Sequence, residues 1–553
     1  MIGLQPFRFD SLSNFVGIFI GVFSLLIILY SSGFMRGRKG LVRYYCYIAL
    51  TFVASLGAVY SNNLIWFIVF WGFLGLLLYL LIGFGQKKNT PRTAKKAFII
   101  IGGSDALMLL GLAFAWHLTG TLQMDKMNIA LDNKLAVFAY LCFAAGAFAK
   151  AGAMPLHTWV PDTAEDAPTP VTAYLPASLD KLLGIYFLAR MSMDMFQMNL
   201  AMNTVLMALG SFTIVAGVMM ALVQHDVKRL LGYHAVSQVG YMVLGIGTGN
   251  PLGIAGGLFH MVNNAIYKCC LFLSTGAVEK RTGTTNLGKL GGFAKIMPIT
   301  FVTFLIAAFA ISGVPPFNGF FSKWMLYQGV IETGKNGSGL WIIWLVSAMF
   351  GSALTLASFM KVTHAVFLGQ PSKDQKSKPK AQSPKETSPT MWIPTVVLAA
   401  LCVIFGVFAY RVPIRLFIIP SVKGSIAYIG TWNAGLATLL ILVGIIIGGI
   451  IYFLGNIIKT QRETGAFVGG EELEEYPAMR VSGVEFYNTI KDLPLLNRVY
   501  RLAEHKAFDI YEQLKRLCLF FTRILRFIHT GILTTYLIWI LLGAVILFFV
   551  LLK

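Results

Sequence analysis

Charge is what this chain has least of. Only 12% of its 553 residues are Asp, Glu, Lys or Arg, while 56% are hydrophobic; ordinary soluble domains carry about 25% charged residues. A water-soluble enzyme is excluded by that ratio. Acids are scarcer than bases, 24 Asp+Glu against 45 Lys+Arg, leaving a net charge of +21. An excess of this size suggests nucleic acid or an anionic lipid surface until the cations are placed. Cysteine is sparse too: Cys46, Cys142, Cys269, Cys270, Cys402 and Cys518 show no C-x-x-C spacing. Most lie in apolar runs, where a thiol acts as a small hydrophobe. No ligand set for an iron–sulfur cluster or a zinc ion is visible, so neither a metal nor a cofactor is expected on this chain. The glycine pairs Gly102-Gly103 and Gly291-Gly292 fit helix packing or turns better than a nucleotide-binding loop. Segment 1–12 has no basic stretch followed by a cleavage site, so no cleaved signal peptide is expected.

Long apolar runs are what the chain does have. A bilayer core about 30 Å thick needs about 20 apolar residues per helix. Runs of about that length predict fourteen spans, near 13–33, 44–61, 63–84, 97–117, 134–165, 169–190, 202–224, 230–248, 252–277, 297–332, 340–368, 391–410, 433–457 and 531–552. Two of them, 134–165 and 297–332, are interrupted. With the N-terminus outside, the inner loops hold twenty cations: Arg36, Arg38, Lys39, Arg43, Lys87, Lys88, Arg92, Lys95, Lys96, Lys228, Arg229, Lys280, Arg281, Lys289, Lys295, Lys373, Lys376, Lys378, Lys380 and Lys385. The outer loops hold seven, namely Lys126, Lys134, Arg190, Lys335, Arg411, Arg415 and Lys423. This bias predicts an orientation with both termini outside. The basic excess is then mostly a topology signal, and no nucleic-acid partner is expected.

Two inner segments stand apart. Residues 371–390 are rich in Lys, Ser and Pro and read as a flexible loop. In 482–530, apolar Leu495, Val499, Tyr500, Leu502, Phe508, Tyr511, Leu514, Cys518 and Phe521 recur at helical spacing. Between them stand Arg498, Arg501, Glu504, Lys506, Asp509, Glu512, Lys515 and Arg516. The pattern predicts one amphipathic surface helix of about 33 residues, about 50 Å long.

The polar residues inside the spans carry the chemistry. The two interruptions read Lys150-Ala-Gly-Ala-Met-Pro155-Leu-His157 and Gly313-Val-Pro315-Pro316-Phe-Asn318-Gly-Phe-Phe-Ser322-Lys323. One broken helix in each half points to inverted repeats around a polar site near the midplane. Unwound backbone persists at that depth only inside protein or beside a watery cavity. An ionisable residue within a span costs about 2.5–3.5 kcal/mol on insertion scales, which makes each one a functional candidate. They are Asp105, Lys150, Asp180, Lys181, His260, Lys268 and Lys323. His260, Asn264 and Lys268 are spaced by four and share one helix face, where they can join a hydrogen-bonded water chain. A buried lysine gives up its proton readily enough to relay it.

The stretch Gly146-Ala-Phe-Ala-Lys150 through Pro161-Asp162, with Ala167-Pro-Thr-Pro-Val-Thr172, resembles the signature of a membrane-protein family. Its members are the antiporter-like, proton-conducting subunits of respiratory complex I, of Mrp cation/proton antiporters and of group 4 membrane-bound hydrogenases. Three more segments share the resemblance: Asp226 to Tyr241, Phe259-His260 through Lys268, and Val314 to Lys323. It covers roughly 8–370, and the tail of surface helix plus final span is similar to the largest antiporter-like subunit of complex I and to its hydrogenase relatives. The resemblance implies an all-α polytopic membrane protein of about fourteen transmembrane helices, with two inverted repeats containing broken helices plus the amphipathic helix. It divides the chain into 1–43 (first helix and inner loop), 44–190 and 202–368 (two antiporter-like repeats) and 369–390 (cytoplasmic loop). After these come 391–457 (two additional helices), 482–530 (lateral helix) and 531–553 (terminal span). It implies that Lys150 is the central proton carrier of the first half, that Lys268 and Lys323 serve the second half and its exit, and that His260 belongs to the connecting polar axis.

Three departures accompany it. Phe7-Arg-Phe-Asp10-Ser-Leu-Ser is similar to the opening of the family's third helix, so the fourteen spans are expected to match family helices three to sixteen, without the first two. Where the family has Trp-Glu, this chain has Trp71-Gly72. A replacement is expected in Pro176-Ala-Ser-Leu-Asp180-Lys181, which resembles the hydrogenase-type members: Asp180 is expected to pair with Lys150 or Lys181. Asn264 stands where the family often has a second histidine and cannot carry a proton by its own titration. The expected function is proton, or sodium/proton, translocation within a multi-subunit respiratory oxidoreductase of a prokaryotic cell membrane. Its expected partners are other membrane subunits, peripheral iron–sulfur/nickel–iron or flavin subunits, and the bilayer. The alternative is a redox-independent Mrp-type antiporter component.

Overall fold

The computed structural model describes residues 6–335, 337, 339–369, 386–426, 434–457, 487–529 and 531–552. Most of the loop expected at 369–390 (370–385), and residues 482–486 of the expected amphipathic segment, lie outside the described residues. The chain forms two units, Met1–Lys491 and Asp492–Lys553.

In the first unit the helices are α1 (Ser11–Phe34), α2 (Leu41–Tyr60), α3 (Leu64–Ile82), α4 (Thr90–Thr119), α5 (Lys134–Ala151), α6 (Trp159–Asp166), α7 (Thr169–Tyr174), α8 (Asp180–Arg190), α9 (Leu200–Leu222), α10 (Val227–Gly247), α11 (Pro251–Thr282), α12 (Pro298–Ser312), α13 (Asn318–Lys335) and α14 (Trp341–Thr363). Helices Pro389–Val407 and Ala434–Ile457 follow. Among the described residues the named strands are one short parallel pair, Ile129–Ala130 beside Phe196–Gln197. Local chemistry sets the helix starts. Asp10, Asn63, Asn133, Asn199, Asp226 and Asn250 each accept a hydrogen bond from a first-turn backbone N–H, satisfying donors that have no partner within the helix.

Among the described residues ten helices are long and apolar enough to cross a membrane. Others of the fourteen expected spans fall short of that measure for a physical reason: they are the polar or broken ones. Span 297–332 divides into α12 and α13; span 134–165 also divides, into α5 and α6, but α5 meets the measure by itself. Span 169–190 becomes α7, a π-helical turn at Leu175–Leu179 that contains Pro176, and α8. Helices α10 and α11 are uninterrupted but rich in polar side chains. Both stand in the interior: every residue from Leu230 to Gly247 and from Leu252 to Val278 is buried. Apolar helices around them expose Leu25, Val53, Val69, Leu109, Phe212 and Val346 on the outer surface, the arrangement a lipid solvent selects.

Charge clusters tie down both ends of the first half. At one end Lys96 meets Asp162 at 2.8 Å, Arg229 meets Glu165 at 2.8 Å and Asp162 at 3.1 Å, and Glu279 accepts from Thr169 and lies 3.5 Å from Lys228. At the other end Arg190 bridges Asp10 (2.6 Å) and Asp194 (2.7 Å), with Lys423 2.8 Å from Asp194. Burial alone would raise the Asp10 pKa, but the hydrogen bonds and charge of Arg190 overcome it and hold this carboxyl well below the usual carboxylate range.

The second unit contains Pro494–Glu504, Ile510–Ile528 and the apolar Leu533–Leu551. The amphipathic pattern is present, but as two helices rather than the single one expected. Lys506 adopts a left-handed φ of 58°, Ala507 N–H bonds back to Leu502 O and Lys506 N–H to Ala503 O, a pattern that closes a helix C-terminus. Asp509 then caps the next helix through Tyr511 N–H.

Candidate functional site

The two broken helices are built alike. α5 ends at Gly152 (φ 80°) and α12 at Gly313 (φ 81°), a left-handed conformation that glycine adopts without a Cβ clash. In each, the next residue closes the helix: Ala153 N–H donates to Phe148 O and Val314 N–H to Phe309 O. Three residues past each glycine stands a proline after a cis bond, Met154–Pro155 and Pro315–Pro316.

A lysine from another segment lies over each glycine. A Cβ on Gly152 would sit 3.2 Å from Lys181 Nζ, and one on Gly313 would sit 3.1 Å from Lys323 Cδ and 3.6 Å from its Nζ. Helix C-termini expose unpaired carbonyls and a partial negative charge, so an ammonium is favoured there. Lys323 Nζ donates to Ile311 O at 2.9 Å. Lys361 does the same at the end of α9, donating to Leu222 O at 2.7 Å and Gln224 O at 3.1 Å.

Lys150, Lys268 and Lys323 share a second feature. Each donates to one backbone carbonyl, Trp71 O (3.2 Å), Leu231 O (2.9 Å) and Ile311 O respectively. Each also lies over an aromatic face: Trp71 at 5.0 Å, Phe359 at 5.7 Å and Tyr241 at 4.9 Å from the ring centroid. A ring quadrupole and a carbonyl hold a cation without neutralising it. All three side chains are buried.

The carboxylates belong to the first half. Asp180 and Asp105 are the acids whose charge reaches Lys150. Asp105 accepts from Trp71 Nε1 at 3.0 Å, so it stands beside the ring on which Lys150 rests. Gly72 has open space where a side chain would begin. The direct pairing expected of Asp180 is looser than an ion pair: its Oδ2 and Lys181 Nζ each lack a hydrogen-bond partner among the described residues. Its charge nevertheless acts on both Lys150 and Lys181.

Between the halves further buried ionisable groups stand near one another. Lys181 acts on Lys268 by charge, and His234 lies within electrostatic reach of Lys268, Lys323 and Lys361. His260 bonds Ser322 Oγ and Gln238 Oε1, both at 3.0 Å, and approaches the Tyr267 hydroxyl at 3.3 Å. Asn264 is fully buried with both amide atoms unpartnered among the described residues, and Asn318 is the same. Of the eight candidate residues, Lys150, Asp180, Lys181, His260, Asn264, Lys268 and Lys323 are buried, and Asp105 is partly exposed beside α3. Sequence reasoning passed over His234 and Lys361. His234 bonds Ser358 Oγ at 2.7 Å, and as the one charged or imidazole residue in the run 230–248 it met the rule that singled out the others. Among the described residues no cluster of three or more His, Cys, Asp and Glu is arranged to hold a metal.

The family model for NADH:quinone oxidoreductase/Mrp antiporter transmembrane segments matches residues 61–355. Chain 5 of the NAD(P)H-quinone oxidoreductase of Picosynechococcus sp. is 36% identical over 334 residues, 57% of this chain and 49% of that one. One of the Na(+)/H(+) antiporter subunits of Alkalihalophilus pseudofirmus is 31% identical over 480 residues, 80% of this chain and 59% of its own. The chain therefore spans about half the length of the curated relatives it matches. Among solved structures, a chain of the membrane-bound sulfane sulfur reductase, an archaeal respiratory membrane complex, shares the fold. Its TM-score is 0.79 at 24% identity, covering 100% of this chain and 90% of that one. A chain of respiratory complex I from Thermus thermophilus follows at TM-score 0.65 and 22% identity, covering 75% and 84%. With its broken helices, its interior lysines and a family match across more than half its length, the chain belongs to the NADH:quinone oxidoreductase/Mrp antiporter transmembrane family.

Proposed function

We propose that this chain is the ion-translocating membrane component of a multi-subunit oxidoreductase, moving protons, or sodium in exchange for protons, across a prokaryotic cell membrane. The observation that carries the reading is the set of buried ionisable residues Lys150, Asp180, Lys181, Lys268, His234 and Lys323, with Lys150, Lys268 and Lys323 each held by one carbonyl and one aromatic face. Adding a proton to one member makes the charged form of a neighbouring lysine less favourable, whether by adding a cation or by neutralising Asp180, and a change beside Lys150 would pass along the set toward Lys323. His260, Asn264, Asn318 and Gln238 supply hydrogen-bonding atoms along the second half, several of them with no protein partner among the described residues, where water would complete a proton wire. Asp105 and Asp180 take the place of the family glutamate missing at Gly72.

In this reading the chain carries no cofactor of its own, and electrons would pass through peripheral iron–sulfur, nickel–iron or flavin subunits. Their chemistry would shift charge at the membrane subunits beside this one. Both termini would face outside, as the loop cations favour. The likeness to the sulfane sulfur reductase chain, which runs over the whole of this chain, supports membership of such an assembly. A second reading, a redox-independent Mrp-type antiporter, is favoured by the match to the Alkalihalophilus antiporter protein over 80% of this chain.

The test is purification of the chain from its native membrane with its accompanying subunits, then reconstitution into liposomes. Redox subunits in the preparation, and lumenal pH change on adding electron donor, are expected. Sodium-driven proton movement by a preparation without redox subunits would select the antiporter reading.

A further inference from the structure

A cavity of about 560 Å³ opens at the end of α1 opposite Asp10, outside the ion row. Its wall combines Ser32, Gly33 and Arg36 from α1 and the turn after it, Leu41 and Tyr45 from α2, Lys280 and Arg281 from the end of α11, and Thr387, Ser388, Thr390 and Met391. Three cations and four hydroxyl-bearing residues from Ser and Thr thus converge here, and no carboxylate lines the wall among the described residues. The nearest acids are occupied elsewhere: Glu279 accepts from Thr169, and Glu386 accepts from Thr300 Oγ1 and the first-turn N–H groups of α12. Two features mark the cavity as a binding site rather than a charged surface. Helix Pro389–Val407 begins in its wall with no side-chain cap from Ser388; Met391 and Trp392 N–H turn back to Ser388 O, and the positive end of the helix dipole adds to the three cations. Thr387 is only 7% exposed, yet its hydroxyl has no hydrogen-bond partner among the described residues.

The surroundings indicate the source of the anion. Along the same face of α1 that ends in Ser32 lie Leu25 and Ile28, 68% and 42% exposed. Ile393 and Val396 of the neighbouring helix are also exposed. A ligand with its charge in the cavity would lay an apolar body along this face, and basic pockets between helix ends suit anionic headgroups. We propose that the cavity walled by Arg36, Lys280, Arg281 and Thr387 binds the phosphate of an anionic amphiphile, a phospholipid headgroup whose chains run along α1 and Pro389–Val407.

The test uses the full-length chain purified from its native membrane with its accompanying subunits and placed in phosphatidylcholine nanodiscs. Binding of fluorescent phosphatidylglycerol is titrated, with unlabelled phosphatidylglycerol and inorganic phosphate as competitors. Arg36→Gln/Lys280→Gln/Arg281→Gln is expected to weaken binding at least about tenfold. Arg43→Gln/Lys88→Gln/Lys295→Gln, which removes the same charge from exposed positions, is expected to leave it unchanged. Thr387→Val, a nearly isosteric change that keeps the packing volume, should weaken binding about threefold to fivefold. Displacement by phosphatidylglycerol alone supports the headgroup; equal displacement by millimolar inorganic phosphate supports the same phosphate site with a soluble source. Unchanged affinity in both cavity variants, or equal loss in the control, overturns the proposal.

Discussion

The two helix breaks share one backbone design and differ in how they are charged. Both close on a left-handed glycine overlain by a lysine, Lys181 above Gly152 and Lys323 above Gly313. In the first half a further lysine, Lys150, stands two residues before the glycine, and two carboxylates, Asp105 and Asp180, act on it. The matching position in the second half is Ile311, which contributes only its carbonyl, to Lys323. Among the described residues of 202–368 no Asp or Glu is buried, and histidines stand between the lysines instead. The same fold therefore holds a charge-compensated site and an uncompensated one. In the first, carboxylates accompany the lysines; in the second, a carbonyl and an aromatic ring are what hold Lys323.

The strongest way to break this comparison is to remove the lysine from each half in turn. Lys150→Met and Lys323→Met are each expected to lower ion translocation by about a hundredfold or more in the reconstituted complex, the scale of losing a positioned proton carrier. Full transport by either variant would show that its half is not on the path. Next in size, Asp180→Asn should cut transport about tenfold, and adding Lys181→Met should recover part of it by removing the cation left unbalanced. Asp105→Asn should cost about twofold to threefold, because Asp180 still compensates Lys150. If Asp105→Asn proves the more damaging, Asp105 is the main replacement for the missing glutamate.

The backbone likeness is tested by Gly152→Ala and Gly313→Ala, each expected to destabilise by about 1–2 kcal/mol in thermal unfolding. Gly152→Ala should be the worse, since its Cβ would come within 2.6 Å of Val160 as well as close to Lys181. Smallest is a pH effect outside the bilayer. The folded-state pKa of Asp10 is depressed, so the stabilisation from its bond to Arg190 is complete above the unfolded carboxyl value near 4 and fades as pH falls below it. Thermal stability should therefore drop below about pH 4 in the parent and respond less to pH in Asp10→Asn.

Much of this was legible in the sequence because a lipid solvent imposes strong rules. Apolar runs marked the helices, and the prolines at 155, 315 and 316 marked both breaks. Lys150, Asp180, Lys181, His260, Lys268 and Lys323 stood out because ionisable groups are rare inside spans. What could not be read was tertiary. Nothing local to Asp105 reveals that the Trp71 indole reaches it from α3, or that Lys181 lies over a glycine on a helix it is not part of. The surface helix read as continuous because periodicity carries through a break of a few residues, while the left-handed Lys506 and the Asp509 cap interrupt it.

Helices α10 and α11 also bear on how the chain is made. A translocon releases segments one after another, and a helix carrying His234 and Gln238, or His260, Asn264 and Lys268, gains less by partitioning into lipid alone, since a charged residue at the centre costs about 2.5–3.5 kcal/mol. α9 is apolar and emerges before them; α13, which brings Ser322 and the Asn318 carbonyl to α11, emerges after them. The interior helices must therefore wait beside α9 or within the insertion machinery until later segments arrive. The polar row that would conduct ions in the finished protein is, during synthesis, the step at which insertion is most easily lost.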